Sequence, residues 1–191
     1  MSSIPPRPDG DDPNPADPID REDTARVVAA DAIDRVLRQI GHVACWFNGI
    51  LLLAIVTQVF LRYAFSSGQT WLEELQWHFY ATAMMFGLSY ALVTDTHVRV
   101  DVLHSHFSVR TKRLVEIFSI LFLLAPFIFV IFLHSLPFVV DAWRVMEGSD
   151  SAGGLPYRFI IKSMIPIGFG LLALAAASRL LRDVTLLIRG A

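Results

Sequence analysis

The chain has 191 residues, 16 of them basic and 18 acidic, for a net charge of −2 and a mean hydropathy of +0.50. Counting the 11 glycines with the 54% hydrophobic residues gives about 60% apolar residues, against about 45–50% in water-soluble domains, which is more than a soluble fold this small can hide. The charge balance excludes a basic nucleic-acid binder, and the single cysteine, Cys45, excludes a disulfide scaffold and any zinc site built from several thiolates.

Residues 1–34 read as a disordered acidic, proline-rich tail. Nine acidic side chains (Asp9, Asp11, Asp12, Asp17, Asp20, Glu22, Asp23, Asp31, Asp34) accompany few large apolar groups, and such a segment cannot offset its ordering entropy by burial. The start lacks the basic residues and apolar run of a secretory signal, so the mature chain is expected to keep it. Between Ala25 and Ile40 the spacing of Val28, Ile33, Val36, Leu37 and Ile40 predicts an amphipathic helix leading into the membrane.

Residues 35–191 are expected to form one four-span membrane domain, with spans at about 43–63, 75–94, 117–140 and 159–178. Val43 to Leu61 carries no charge; Leu75 to Thr94 holds only His78, and Ile117 to Val140 only His134. Phe159 to Ser178 includes Lys162 near one end. Each stretch is long enough to cross hydrocarbon at about 1.5 Å per residue. The expected fold class is therefore all-α: an integral membrane four-helix bundle with short interfacial helices. With the N-terminus inside, twelve Lys and Arg residues fall on the inner side and four (Arg62, Arg144, Arg158, Lys162) on the outer. That bias predicts cytoplasmic N- and C-termini.

Apolar burial does not drive helices together in lipid, so small residues that permit close backbone approach become candidate contacts. Gly41, Cys45 and Gly49 recur on the first span, Ala83, Gly87 and Ala91 on the second, and Gly170, Ala173 and Ala177 on the fourth. The third span is bulky (Phe118, Phe122, Phe127, Phe129, Phe132, Phe138), which suits lipid or a large partner, and Pro126 is expected to kink it.

After the first span a break at Ser66–Gln69 precedes Thr70-Trp71-Leu72-Glu73, whose spacing fits a capping box. Trp71 and Trp77 suit the water–lipid interface. Charges gather at span ends: Arg62, Glu73, Glu74, Glu116, Asp141, Arg144 and Lys162. Arg62 either pairs with Glu73 or Glu74 across the short loop or snorkels into water, as Lys162 does most easily. His97, His104 and His106 share a loop with Asp95 and Asp101, but no pair has the i, i+4 spacing that presents two metal ligands on one helix face. His78 and His134 admit a rival reading, a haem-binding anchor subunit of a redox complex; single histidines near span ends are more often interfacial or bonded to a neighbour. No mid-span carboxylate or inverted repeat marks a self-contained carrier. No catalytic, cofactor-binding or metal-binding residue emerges, and no enzyme activity is expected.

Phe60-Leu61-Arg62-Tyr63-Ala64-Phe65, Trp71-Leu72-Glu73-Glu74-Leu75, Phe86-Gly87 and His97-Val98-Arg99-Val100-Asp101, in this order, resemble the small permease subunit of TRAP (tripartite ATP-independent periplasmic) transporters. The resemblance spans roughly residues 40 to 180. The stretch Gly153-Gly154-Leu155-Pro156-Tyr157 with Lys162 and Ile165-Pro166-Ile167-Gly168-Phe169 is similar to a branch loosely labelled for mannitol or chloroaromatic compounds. The resemblance implies a bacterial inner-membrane subunit that packs against a large permease subunit. In this family the large subunit moves a solute inward, usually a carboxylate-bearing one, by an elevator-like motion driven by a sodium gradient, after a periplasmic solute-binding protein delivers it. It implies no cofactor and places the sodium and substrate sites in the large subunit. The matching motif residues are Arg62, Tyr63, Trp71, Glu73, Glu74, His97, Arg99 and Asp101; with Lys162 they are the expected structural and partner-facing positions.

Overall fold

A computed structural model of the chain describes residues 28–94 and 109–188. Helix α1 spans Val28–Phe65, α2 Thr70–Val93 and α3 Val109–Ser119. A π-helical turn, Ile120–Leu124, joins α3 to α4 (Ala125–Arg144), and α5 spans Phe159–Ile188. No strand occurs among the described residues. The four long rods run alternately up and down, with Glu74 of α2 meeting the α4–α5 loop at one end and Ser178 of α5 meeting α1 at the other.

Three rods are long and apolar enough to cross a membrane: Ala30–Phe65, Arg113–Arg144 and Phe159–Ile188. Helix α2 carries Glu73, Glu74, Gln76 and His78 in its first turns, which lowers its hydropathy although its 24 residues give about 36 Å of length. It packs against both α1 and α5. Large apolar side chains cover the outside of the bundle, with Trp46 76%, Leu53 67%, Leu123 65% and Phe129 64% exposed. A surface of that kind is stable against acyl chains and costly against water.

Helix α5 is the hub, touching α1, α2, α3 and α4. Its Phe169, Leu172 and Ala176 form the core with Ile120 and Ile128, supported by Met85, Leu88 and Leu92 of α2. Several hydroxyl groups inside the rods are satisfied on their own helices, as Thr57 on Leu53 O, Thr82 on His78 O and Ser135 on Phe132 O. This removes unpaired donors from the hydrocarbon.

The break expected at Pro126 takes the form of the π-turn just before it, in which Ala125 N–H donates to Ile120 O. A proline has no N–H to give to the carbonyl four residues back, and its ring crowds that carbonyl. One extra residue in the turn relieves the crowding. The extra residue also sets register: Ile120 and Ile128, eight apart, both face α5.

Residues 28–34, assigned to the tail by composition, form the first turns of α1. At 38 residues this helix is about 57 Å long, nearly twice the roughly 30 Å hydrocarbon thickness. It therefore projects well beyond the membrane on the side of its N-terminus. Residues 1–27 and 95–108, including His97, Arg99, Asp101, His104 and His106, lie outside the described residues.

Candidate functional site at the two polar ends of the bundle

At one end, α1 stops at Phe65, where Ser66 takes a left-handed conformation (φ 48°). Gln69 then occupies the N-cap position of α2, its carbonyl accepting from Leu72 and Glu73 N–H at 3.2 Å each. Thr70 is the first helical residue and no side chain caps the helix, so the Thr70–Glu73 capping box does not form. Glu73 is exposed.

Its neighbour Glu74 turns the other way and organises the α4–α5 loop. One carboxylate oxygen accepts from the Ser149 hydroxyl and the other from the Leu155 N–H at 2.6 Å. These bonds, the Ser149 one foremost, hold the Glu74 carboxyl below its ordinary pKa; Arg158 and His78 add to them against a desolvation cost. The loop turns back through left-handed backbone at Met146, Gly153 and Tyr157. A methyl group on Gly154 would lie 2.8 Å from Glu74 Oε1, so only a bare backbone lets the loop sit this close.

The same loop is tied to α5. Lys162 pairs with Glu147 and lies 4.0 Å from the Phe138 ring centroid, while Arg158 N–H donates to Glu147 O at 2.8 Å. Arg62 is exposed and has no acidic partner among the described residues: of the two carboxylates offered to it, Glu74 is taken by a loop some 80 positions on and Glu73 stays exposed without turning to it. Tyr63 and Trp71 are also exposed beside it.

The opposite end carries a second polar cluster. Arg182 bonds Asp31 at 3.1 Å and Asp34 at 2.7 Å. The Ser178 hydroxyl lies 2.6 Å from Asp34 Oδ1 and 3.2 Å from Ala30 O. Arg179 bonds Glu116 of α3 at 2.5 Å and reaches Leu92 O of α2 at 3.4 Å. Composition places Asp31 and Asp34 in the tail, whereas the Ala25–Ile40 periodicity places them on a helix; the structure has the helix from Val28, with both acids turned to Arg182.

The strips of small residues divide. Gly41 faces Tyr90, whose Cγ would lie 2.6 Å from an added Cβ; Gly49 has open space and Cys45 is exposed. Every fourth residue advances about 40° past a full turn, so such a strip drifts off any contact. The face of α1 that packs instead follows Leu37, Gly41, Ala44 and Ala54. On α2 Ala83 is buried, Ala91 is half-buried, and Gly87 has open space. Gly170, Ala173 and Ala177 line an apolar groove of about 420 Å³ between α5 and the π-turn with α4.

Comparison with protein families then decides the identity of this architecture: the model for the DctQ component of tripartite ATP-independent periplasmic transporters matches residues 51–186, well over half of the chain. The chain belongs to the DctQ family. As a DctQ component it is a small membrane subunit of a TRAP transporter and not an enzyme. The match contains Glu74, Glu147, Lys162, Arg179 and Arg182, and leaves Asp31 and Asp34 in a stretch that precedes it. Comparison with curated proteins and with solved structures returns no match. The haem-anchor reading finds no support: among the described residues His78 and His134 sit on α2 and α4, which each pack on α5.

Proposed function

We propose that this DctQ subunit braces the large permease subunit of a solute importer in the bacterial inner membrane. The large subunit would carry out cation-coupled uptake of a carboxylate-bearing solute delivered by a periplasmic binding protein. The observation that carries the reading is the family match over residues 51–186, on a bundle whose strong polar contacts lie at its ends and not along its spans. Such a chain offers hydrophobic surface to a partner and no ion pathway of its own. In this reading α2 is a fourth span, and the twelve-to-four basic bias puts both termini in the cytoplasm, with the Glu74 end outside. Arg62, Tyr63, Trp71, Glu73, Glu74 and Lys162 then form the periplasmic edge. His97, Arg99 and Asp101 belong to the cytoplasmic side.

The test is co-purification of the large subunit and solute uptake in proteoliposomes with and without this chain, alongside E73A, E74A and the double variant. E74A and the double variant are expected to lower both recovery and uptake, and E73A to leave them near wild type. Full uptake in the absence of this chain would overturn the bracing role. Unchanged recovery and uptake in the double variant would remove the Glu74 edge from it.

A further inference from the structure

Helix α1 carries two acid–base pairs at the i, i+4 spacing that normally self-neutralises on a helix: Asp31 with Arg35, and Asp34 with Arg38. The structure breaks both. Asp31 and Asp34 reach across to Arg182 of α5, at 3.1 and 2.7 Å, and Asp34 also accepts from Ser178. Arg35 and Arg38 are thereby left exposed with no acidic partner among the described residues.

The two arginines share a face with His42 and Trp46. At about 100° per residue, all four lie within roughly 80° of arc, opposite the packing positions Leu37 and Ala44. His42 Nδ1 lies 2.7 Å from Arg38 O, and the ring is exposed. Trp46 is 76% exposed.

The uncharged stretch begins at Val43. Arg38 therefore lies about 7 Å outside its edge, at the depth of the headgroup zone, with Arg35 one turn further out and Trp46 about 4 Å inside. Below them on the same side, Ile50 and Leu53 offer exposed apolar surface. Two uncompensated guanidinium groups at phosphate depth, an aromatic ring at the interface and an aliphatic strip beneath match a single molecule with an anionic head and an acyl tail.

We propose that the Arg35–Arg38–His42–Trp46 face of α1 binds an anionic phospholipid through its headgroup phosphate. The inference needs the membrane placement of α1 and not the transport reading. Intramolecular pairing at Arg182 creates the site by withdrawing the two acids that would otherwise quench it.

The full chain released from nanodiscs of equal phosphatidylglycerol and phosphatidylcholine, then weighed by native mass spectrometry, tests this. Phosphatidylglycerol adducts should exceed phosphatidylcholine adducts by up to about thirtyfold, given two cations near the lipid surface. R35Q/R38Q should bring the ratio near one, and R62Q, which removes an exposed arginine at the other end, should leave it unchanged. In a W71F/W77F/W143F chain with Arg35 and Arg38 intact, brominated phosphatidylglycerol should quench Trp46 at a lower mole fraction than brominated phosphatidylcholine. Equal adducts or equal quenching, or a preference that survives R35Q/R38Q, would overturn the proposal. So would a loss of large-subunit recovery in R35Q/R38Q with the lipid ratio unchanged, which would mark the face as a protein contact.

Discussion

Gly41 and Gly49 are two turns apart on one helix, yet they should respond oppositely to the same change. An alanine methyl at position 41 would lie 2.6 Å from Tyr90 Cγ and 2.9 Å from its Cβ, whereas at position 49 it meets nothing within 4 Å. Contacts that close to the root of the Tyr90 side chain cannot be relieved by rotating its far end, so α1 and α2 must separate. Overpacking of this kind costs about 1–3 kcal/mol, set against a helix-propensity gain from Gly to Ala of up to about 1 kcal/mol. G41A is thus expected to lose on the order of 1–2 kcal/mol, and G49A to be neutral or slightly more stable. Reversible unfolding in mixed micelles, followed by circular dichroism, measures both. Y90A should cost stability alone but relieve G41A, giving a coupling energy of at least about 1 kcal/mol in the double-mutant cycle. Equal stability of G41A and G49A, or strict additivity with Y90A, would refute the close approach of α1 to α2.

R182Q leaves Asp34, largely buried at 15% side-chain exposure, without its cation and should destabilise the chain by about 2–3 kcal/mol. R144Q breaks a 3.8 Å pair whose partners are 73% exposed and should cost less than about 0.5 kcal/mol; equal midpoints in the same unfolding assay would contradict this. Because the Glu74 carboxyl is held below its ordinary pKa, its hold on the loop is complete above the usual carboxylate range and is lost as pH falls through the lowered value. A spin label at D150C in a C45S background should therefore become mobile only once the pH falls below the ordinary carboxylate range, and should be mobile at every pH in E74Q; a label equally immobile in E74Q and wild type at neutral pH would exclude the anchor. G154A, which places a methyl 2.8 Å from Glu74 Oε1, should raise the same mobility at neutral pH without altering helical content.

The rods were legible because a membrane helix announces itself by length alone: the apolar runs from Val43 and Phe159 fall inside helices of 38 and 30 residues, and the run from Ile117 passes from the end of α3 through the π-turn into α4. The tertiary contacts were not, because they join positions as far as 151 apart and nothing in local spacing selects among several possible partners. Arg62, Glu73 and Glu74 illustrate this. Proximity across a short loop suggested an ion pair, but a carboxylate already bound by a backbone N–H and a hydroxyl has no desolvation left to recover by turning to an exposed guanidinium. At Asp31 and Asp34 two signals conflict: composition averaged over a window reads the acids as tail, the Ala25–Ile40 periodicity reads them as helix, and the structure has the helix from Val28; neither signal names Arg182 as their partner.

The placement of the polar contacts bears on how a bundle with little interior can be stiff. Lipid is as good a solvent for leucine as the bundle core, so apolar burial along the spans does little to set helix tilt or register. At the ends, carboxylates and cations can be paired without the full cost of charge in hydrocarbon. Glu74 joins α2 to the α4–α5 loop and Lys162 joins that loop to α5. Arg182 joins α5 to α1, and Arg179 joins it to α3 and α2. Every rod is thus held at an end through α5 or its loop, so tilting one rod must break charge-assisted bonds, while the outer faces of α1 and α4 are left free of any role inside the chain. That rim fixing, with apolar flanks left over on the described rods, is what the proposed bracing of a large permease subunit requires, because a brace must hold its own tilt while its partner moves.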